Sequence, residues 1–63
     1  MTTDPPPVVL RCGALQIRIT EVEPMFAWEI LRDGECIQEG ASITFDAAQR
    51  DSQKVARFLG ARS

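Results

Sequence analysis

Few side chains in this sequence have chemistry to offer. There are two thiols, Cys12 and Cys36, one lysine, Lys54, and two carboxylates set ten residues apart in the middle of the chain, Glu29 and Glu39. Histidine is absent. General acid–base or nucleophilic catalysis needs a base within hydrogen-bond reach of the group it activates. Lys54 stands in a helical pattern without a Gly-rich loop. No Walker motif, dinucleotide fingerprint, serine elbow or CxxC occurs. Strand alternation puts Glu29 and Glu39 on opposite faces, where they do not flank one bond. Di-iron carboxylate sites draw several Glu residues and Glu-x-x-His motifs from paired helices, and that pattern is missing. A closed zinc site takes four N or S ligands, more than two cysteines supply. Cys36 with Cys12 or Met25 makes a soft donor set of the Cu(I)-binding kind; two thiols on strands are more simply small hydrophobes. The expectation is a protein that is not an enzyme, with no catalytic residue, no metal ligand and no cofactor.

Length narrows the rest. A chain of 63 residues makes at most one domain, and a chain this short buries only about 60% of its unfolded surface. Small folds draw extra stability from disulfides, metals or partner chains. The N-terminal segment lacks a signal-peptide pattern, so reduced thiols and a cytoplasmic location are expected. A partner chain or self-association, a homodimer included, is then the expected source of support. No apolar run is long enough to span a bilayer, so no membrane partner is expected.

The elements that must carry these residues are readable in order. Residues 1–7, MTTDPPP, read as a flexible Pro-rich arm, because consecutive prolines favour polyproline II and cannot donate to a ladder. Residues 8–63 read as one β-β-β(-β)-α domain. Val8 to Cys12 suits a short strand, with Gly13 as a turn or bulge. Leu15, Ile17 and Ile19 alternate with polar residues, as a half-buried strand does. Pro24 closes that strand. Phe26, Trp28 and Ile30 share the next apolar face, and Asp33-Gly34 is a strong signal for a two-residue type I′ hairpin. That turn sets Arg32 against Glu35, Ile30 against Ile37 and Trp28 against Glu39. A three-residue loop ending at Gly34 is the competing register and sets Ile37 against Glu29. The two-residue turn keeps the isoleucines together but leaves Glu39 on the apolar side beside Trp28. A bulge at Gly40, or a place for Glu39 at the rim of the sheet, then resolves the conflict.

A helix follows. Thr44 is a suitable N-cap and Asp46 a suitable first-turn acid. Ala48, Ser52, Val55 and Leu59 form one helical face, bordered by Phe45 and Phe58, and Gly60 is placed to stop the helix. The fold class expected is α+β: a small antiparallel sheet of three or four strands with one C-terminal helix packed on one face. The opposite face, with Ala27, Glu29, Leu31, Cys36 and Gln38, stays uncovered and suits a partner. Trp28 reads as a core anchor under the helix, with an interface hot spot as the alternative.

Charge is segregated. Glu21, Glu23, Glu29, Asp33, Glu35, Glu39 and Asp46 face a single base, Arg32, between positions 21 and 46, whereas Arg50, Lys54, Arg57 and Arg62 follow with one acid, Asp51. The acidic sheet disfavours nucleic acid. Cations near a helix C-terminus also suit its dipole. A small nucleic-acid-binding domain using Arg50, Lys54, Arg57 and Arg62 stays as the alternative reading, beside a self-associating domain.

The run MFAWEILRDGECIQEGASIT, followed by an amphipathic helix ending VARFLG, resembles the small accessory proteins of soluble methane monooxygenase operons, the MmoD or component D family. Met25, Trp28, Ile30, Arg32, Gln38, Glu39, Gly40, Ser42, Ile43, Val55, Phe58 and Gly60 carry the resemblance, which spans Met25 to Gly60. Gln38-Glu39-Gly40 with Ser42-Ile43 is its most specific part. The chain departs from the pattern at Gly34, and at Ala41, where a cysteine is expected. The resemblance implies a non-catalytic accessory or regulatory module that binds a larger protein, the hydroxylase of a di-iron monooxygenase, and hinders docking of another component or assists cofactor assembly. Trp28, Gln38, Glu39, Gly40 and Ser42 are the candidate partner-binding residues.

Overall fold

The structure, a computed structural model, describes residues 6–62, with side chains through Gly60. Most of the expected Pro-rich arm lies outside the described residues; Pro6 and Pro7 are exposed and precede the first strand. Four strands, β1 (Val8–Cys12), β2 (Leu15–Val22), β3 (Met25–Arg32) and β4 (Glu35–Ser42), lead to one helix, α1 (Phe45–Arg62). The strands form one antiparallel meander in the order β1-β2-β3-β4. This is the α+β class expected from the alternation, with four strands.

The turns follow their residues. Gly13 has φ 62 and opens the two-residue link between β1 and β2. Glu23-Pro24, a cis peptide, links β2 to β3. Asp33 and Gly34 have φ values of 53 and 83, the two positive angles a type I′ turn requires. Arg32 pairs with Glu35 as that turn predicts.

Beyond Leu31 the register departs from expectation. Leu31 pairs with Cys36 but Ile30 pairs with Gln38, so Ile37 is the extra residue of a β-bulge. The expected bulge at Gly40 is thus three residues too late. The physical gain is plain. Ile37 stays packed against the core, and the remainder of β4 slips by one. Trp28 now faces Gly40 rather than Glu39, and Glu39 faces Glu29. A one-residue slip moves a side chain to the other face of a sheet, and here it takes a carboxylate out of the core.

The core lies between the sheet and α1. Leu15, Ile17, Ile19, Trp28, Ile30, Ala48 and Ala56 are buried together. The helix runs over β3, β2 and β4 and touches β1 least. Thr44 caps it: the Ala47 N–H donates to Thr44 Oγ1 at 3.1 Å, and the Ala48 N–H donates to the Thr44 carbonyl at 2.9 Å. Phe26 and Phe45 meet edge to face, centroids 6.0 Å apart, and fix the start of the helix over β3. The expected stop at Gly60 does not occur. Gly60 lacks a positive φ, and α1 continues to Arg62. Nothing crowds that position, so the helical conformation costs only the usual glycine entropy.

Candidate functional site

The residues between the core positions point away from α1. Register aligns them in rows across the sheet. Arg18 of β2, Glu29 of β3 and Glu39 of β4 stand side by side. Beside them lies a row of small residues, Thr20, Ala27 and Ala41. Val22 and Met25 form a third row, and Val22 is 55% exposed. The small row is therefore the floor of a groove, with a charged ridge on one side and an apolar ridge on the other. Its open volume is about 630 Å³, lined among others by Thr20, Val22, Ala27, Glu29, Glu39 and Ala41.

The charged ridge is only half compensated. Arg18 donates from Nε at 3.1 Å and from Nη2 at 2.8 Å to the same oxygen, Glu29 Oε1. Glu39 faces Glu29 directly from the other side, and among the described residues no cation pairs with it. Like charges directly opposed across strands are destabilising. The expectation that Glu29 and Glu39 lie on opposite faces is thus corrected: the bulge at Ile37 brings them together.

Cys36 joins this patch. Ligand atoms of Glu29, Cys36 and Glu39 lie within 4.8 Å of one another. Cys36 and Glu39 are exposed, and Arg18 already holds Glu29. This is an open acidic surface with one thiol rather than a closed coordination shell. The soft donor sets considered from sequence do not assemble. Cys12 and Cys36 are free and lie on the two opposite edge strands. Met25 and Cys36 lie at opposite ends of the β3–β4 pair.

The five candidate partner-binding residues separate into two groups. Trp28 is 7% exposed and belongs to the core, and Gly40 lies under its ring. Ser42 is equally buried, and its hydroxyl donates to Asp51 Oδ2 at 3.0 Å, fastening β4 to α1. Gln38 and Glu39 are exposed on β4, an edge strand, but on opposite faces. Glu39 pairs with Glu29 on the outer face, whereas Gln38, expected there, pairs with the core residue Ile30 and so turns to the helix side, moved across by the bulge at Ile37. On the helix, Arg50, Lys54 and Arg57 are exposed at positions i, i+4 and i+7, one stripe. Arg50 Nε lies 3.8 Å from Asp51 Oδ1. Arg62 ends the helix, and its side chain is outside the described residues. A second cleft, of about 440 Å³, lies at the far end of the sheet among Cys12, Leu15, Arg32, Ala56 and Arg57.

Ala27 was expected on the uncovered face, but Arg18, Thr20 and the joining of Ala27 with Ala41 into one floor were not singled out by the sequence. Their signal is a cross-strand alignment, visible once the pairing of β2, β3 and β4 is known.

A four-stranded meander with a helix on one face and a grooved, charge-ridged face on the other defines a small α+β module with a surface left open to solvent. The chain belongs to a family that gives this module a context: the family described as "Methane monooxygenase component D" matches residues 18–60. Over 29 residues the chain is 52% identical to the methane monooxygenase component D of Methylosinus trichosporium, covering 46% of this chain and 28% of that protein. The match thus takes in less than a third of the relative's length. The family match begins at Arg18 and ends at Gly60, so it contains the whole charged ridge and the whole groove floor. Among the described residues, no helix is long and apolar enough to cross a membrane.

Proposed function

We propose that this chain is a non-catalytic accessory module of a methane monooxygenase-type system, docking by its outer sheet face onto a larger protein of that system. The observation that carries the reading is the uncovered face itself. One side of the sheet is occupied by α1, whereas the other presents a groove and an unneutralised carboxylate on strands inside the family match. The partner in this reading is the di-iron hydroxylase, and the module regulates it by occupying a surface that another component uses. The site of action is the cytoplasm. Glu39 contacts the partner directly, and Gln38, on the helix side of the same exposed edge strand, borders the contact. Trp28, Gly40 and Ser42 hold β4 in the position that presents them.

Gel filtration of the chain with a methane monooxygenase hydroxylase at ~10 μM tests this, since specific complexes have affinities of micromolar or tighter. Co-elution supports the reading, and two separate peaks overturn it. The chain run alone over a concentration series reports whether a homodimer competes for the same face.

A further inference from the structure

We propose that the groove across the outer face receives a lysine or arginine side chain of the partner protein. Its aliphatic stem lies on Thr20, Ala27 and Ala41, and its cation meets Glu39 and Glu29. The proposal rests on the docking reading above and names what that face recognises.

Three observations carry it. The first is shape. The floor is a single row of small side chains crossing β2, β3 and β4. Two inter-strand spacings make it about 10 Å long, long enough for an extended side chain to lie along it. The second is polarity. Long cationic side chains lay their methylene stems on apolar surface and keep the charged head in water. Here the methyl groups of Ala27, Ala41 and Val22 lie beside an open carboxylate row. The third is charge. Glu29 and Glu39 oppose each other across the strands, and Arg18 contacts Glu29 through Oε1. Glu29 Oε2 and the whole Glu39 carboxylate lack a hydrogen bond or ion pair among the described residues. An ammonium or guanidinium placed there completes an alternating row of cation, anion, cation, anion. It relieves the like-charge opposition of Glu29 and Glu39. An anionic or purely apolar occupant leaves that opposition unrelieved.

The test has two arms, both run with EDTA present so that a metal ion does not occupy Glu29, Cys36 and Glu39. In the first, the ¹⁵N-labelled chain is titrated with a capped Ala-Lys-Ala peptide and with its norleucine counterpart. The lysine peptide is expected to shift the amides of Thr20, Ala27, Glu39 and Ala41, with the shifts fading as salt rises. Norleucine, Glu39→Gln or Ala41→Leu removes them, and Asp33→Asn, the same charge change outside the groove, leaves them. Equal shifts with both peptides, shifts elsewhere, or none at millimolar peptide overturn the groove. In the second arm the hydroxylase is the probe. Glu39→Gln and Ala41→Leu are each expected to weaken its binding about tenfold, and Asp33→Asn is not. Hydroxylase binding that ignores both variants overturns the groove but keeps the docking reading. A lysine peptide that binds while the hydroxylase does not overturns the partner and keeps the groove.

Discussion

The Trp28 ring fills the space where a side chain at position 40 would begin. The two residues pair across β3 and β4, and a Cβ on Gly40 would stand 2.7 Å from Trp28 Cε2 and 2.9 Å from Cη2, with Cζ2 nearer still. Gly40 therefore serves close approach, and no positive φ is involved. Gly40→Ala forces the indole or β4 to move, and overpacking of this kind costs about 1–3 kcal/mol. Urea unfolding followed by the fluorescence of Trp28 should show a lower midpoint with an unchanged slope. An unaltered midpoint would mean that β4 has slack at this point.

Trp28 itself has opposed terms. Its Nε1–H is buried without an acceptor among the described residues, which costs about 1–3 kcal/mol. Burying an aromatic of this size removes about 150–250 Å² from water, worth roughly 4–6 kcal/mol at 25 cal/mol/Å². Burial wins. Trp28→Ala should cost about 3–5 kcal/mol, a large share of the total of about 3–9 kcal/mol for a chain of this length, and lower the urea and thermal midpoints sharply. Trp28→Phe should lose much less, because the orphaned donor leaves with the ring. A phenylalanine variant as unstable as the alanine one would show that the indole N–H has a partner in solution.

Ser42 and Asp51 tie the last strand to the helix. Ser42 is buried and its hydroxyl donates to a half-exposed carboxylate. Ser42→Ala and Asp51→Ala should each cost about 1–2 kcal/mol. The double variant should cost clearly less than their sum, since both remove one contact. Strict additivity in thermal or urea unfolding would count against the bond.

The N-cap gives the cleanest local test. Thr44 accepts the Ala47 N–H through its hydroxyl, next to the exposed Ile43. Thr44→Ala should lose about 1 kcal/mol, and Thr44→Asp should retain the cap. Helix content at 222 nm against temperature separates the two variants. Identical melting of alanine and aspartate at this position would remove the cap from the account.

The local elements were legible because each was signalled twice. Alternation and Gly13 or Asp33-Gly34 marked the strands and their turns, and Thr44 and the Ala48-to-Leu59 stripe marked the helix. What stayed hidden depended on pairing. Nothing at Ile37 announces a bulge, since the extra residue is a β-branched core side chain rather than a glycine. The conflict it resolves, a glutamate set against Trp28, was visible; its location was not, because Gly40 offered an equally local remedy. The face of Glu39 followed from that choice, and with it the ridge and the groove. Gly60 misled for the opposite reason. A glycine permits a stop but does not impose one when the residues after it can continue the helix.

Glu39 sets stability against recognition. It faces Glu29 across the strands without a cation of its own among the described residues, an arrangement that costs a few tenths of a kcal/mol up to about 1. Glu39→Gln should raise the unfolding midpoint slightly, and Gln38→Ala should leave it unchanged, since Gln38 is exposed. Charge reversal at Arg18 should act the other way. Arg18→Glu sets three carboxylates in one row and should destabilise the sheet by more than the loss of a single exposed ion pair, about 0–1 kcal/mol. Restoring a cation from the far end, with Glu39→Lys on that background, should recover part of the loss. Urea midpoints for the four variants decide the matter. A Glu39→Gln chain less stable than the parent would mean that the carboxylate has a favourable partner within the fold, and the ridge would then be a finished structural feature rather than an open half of an interface.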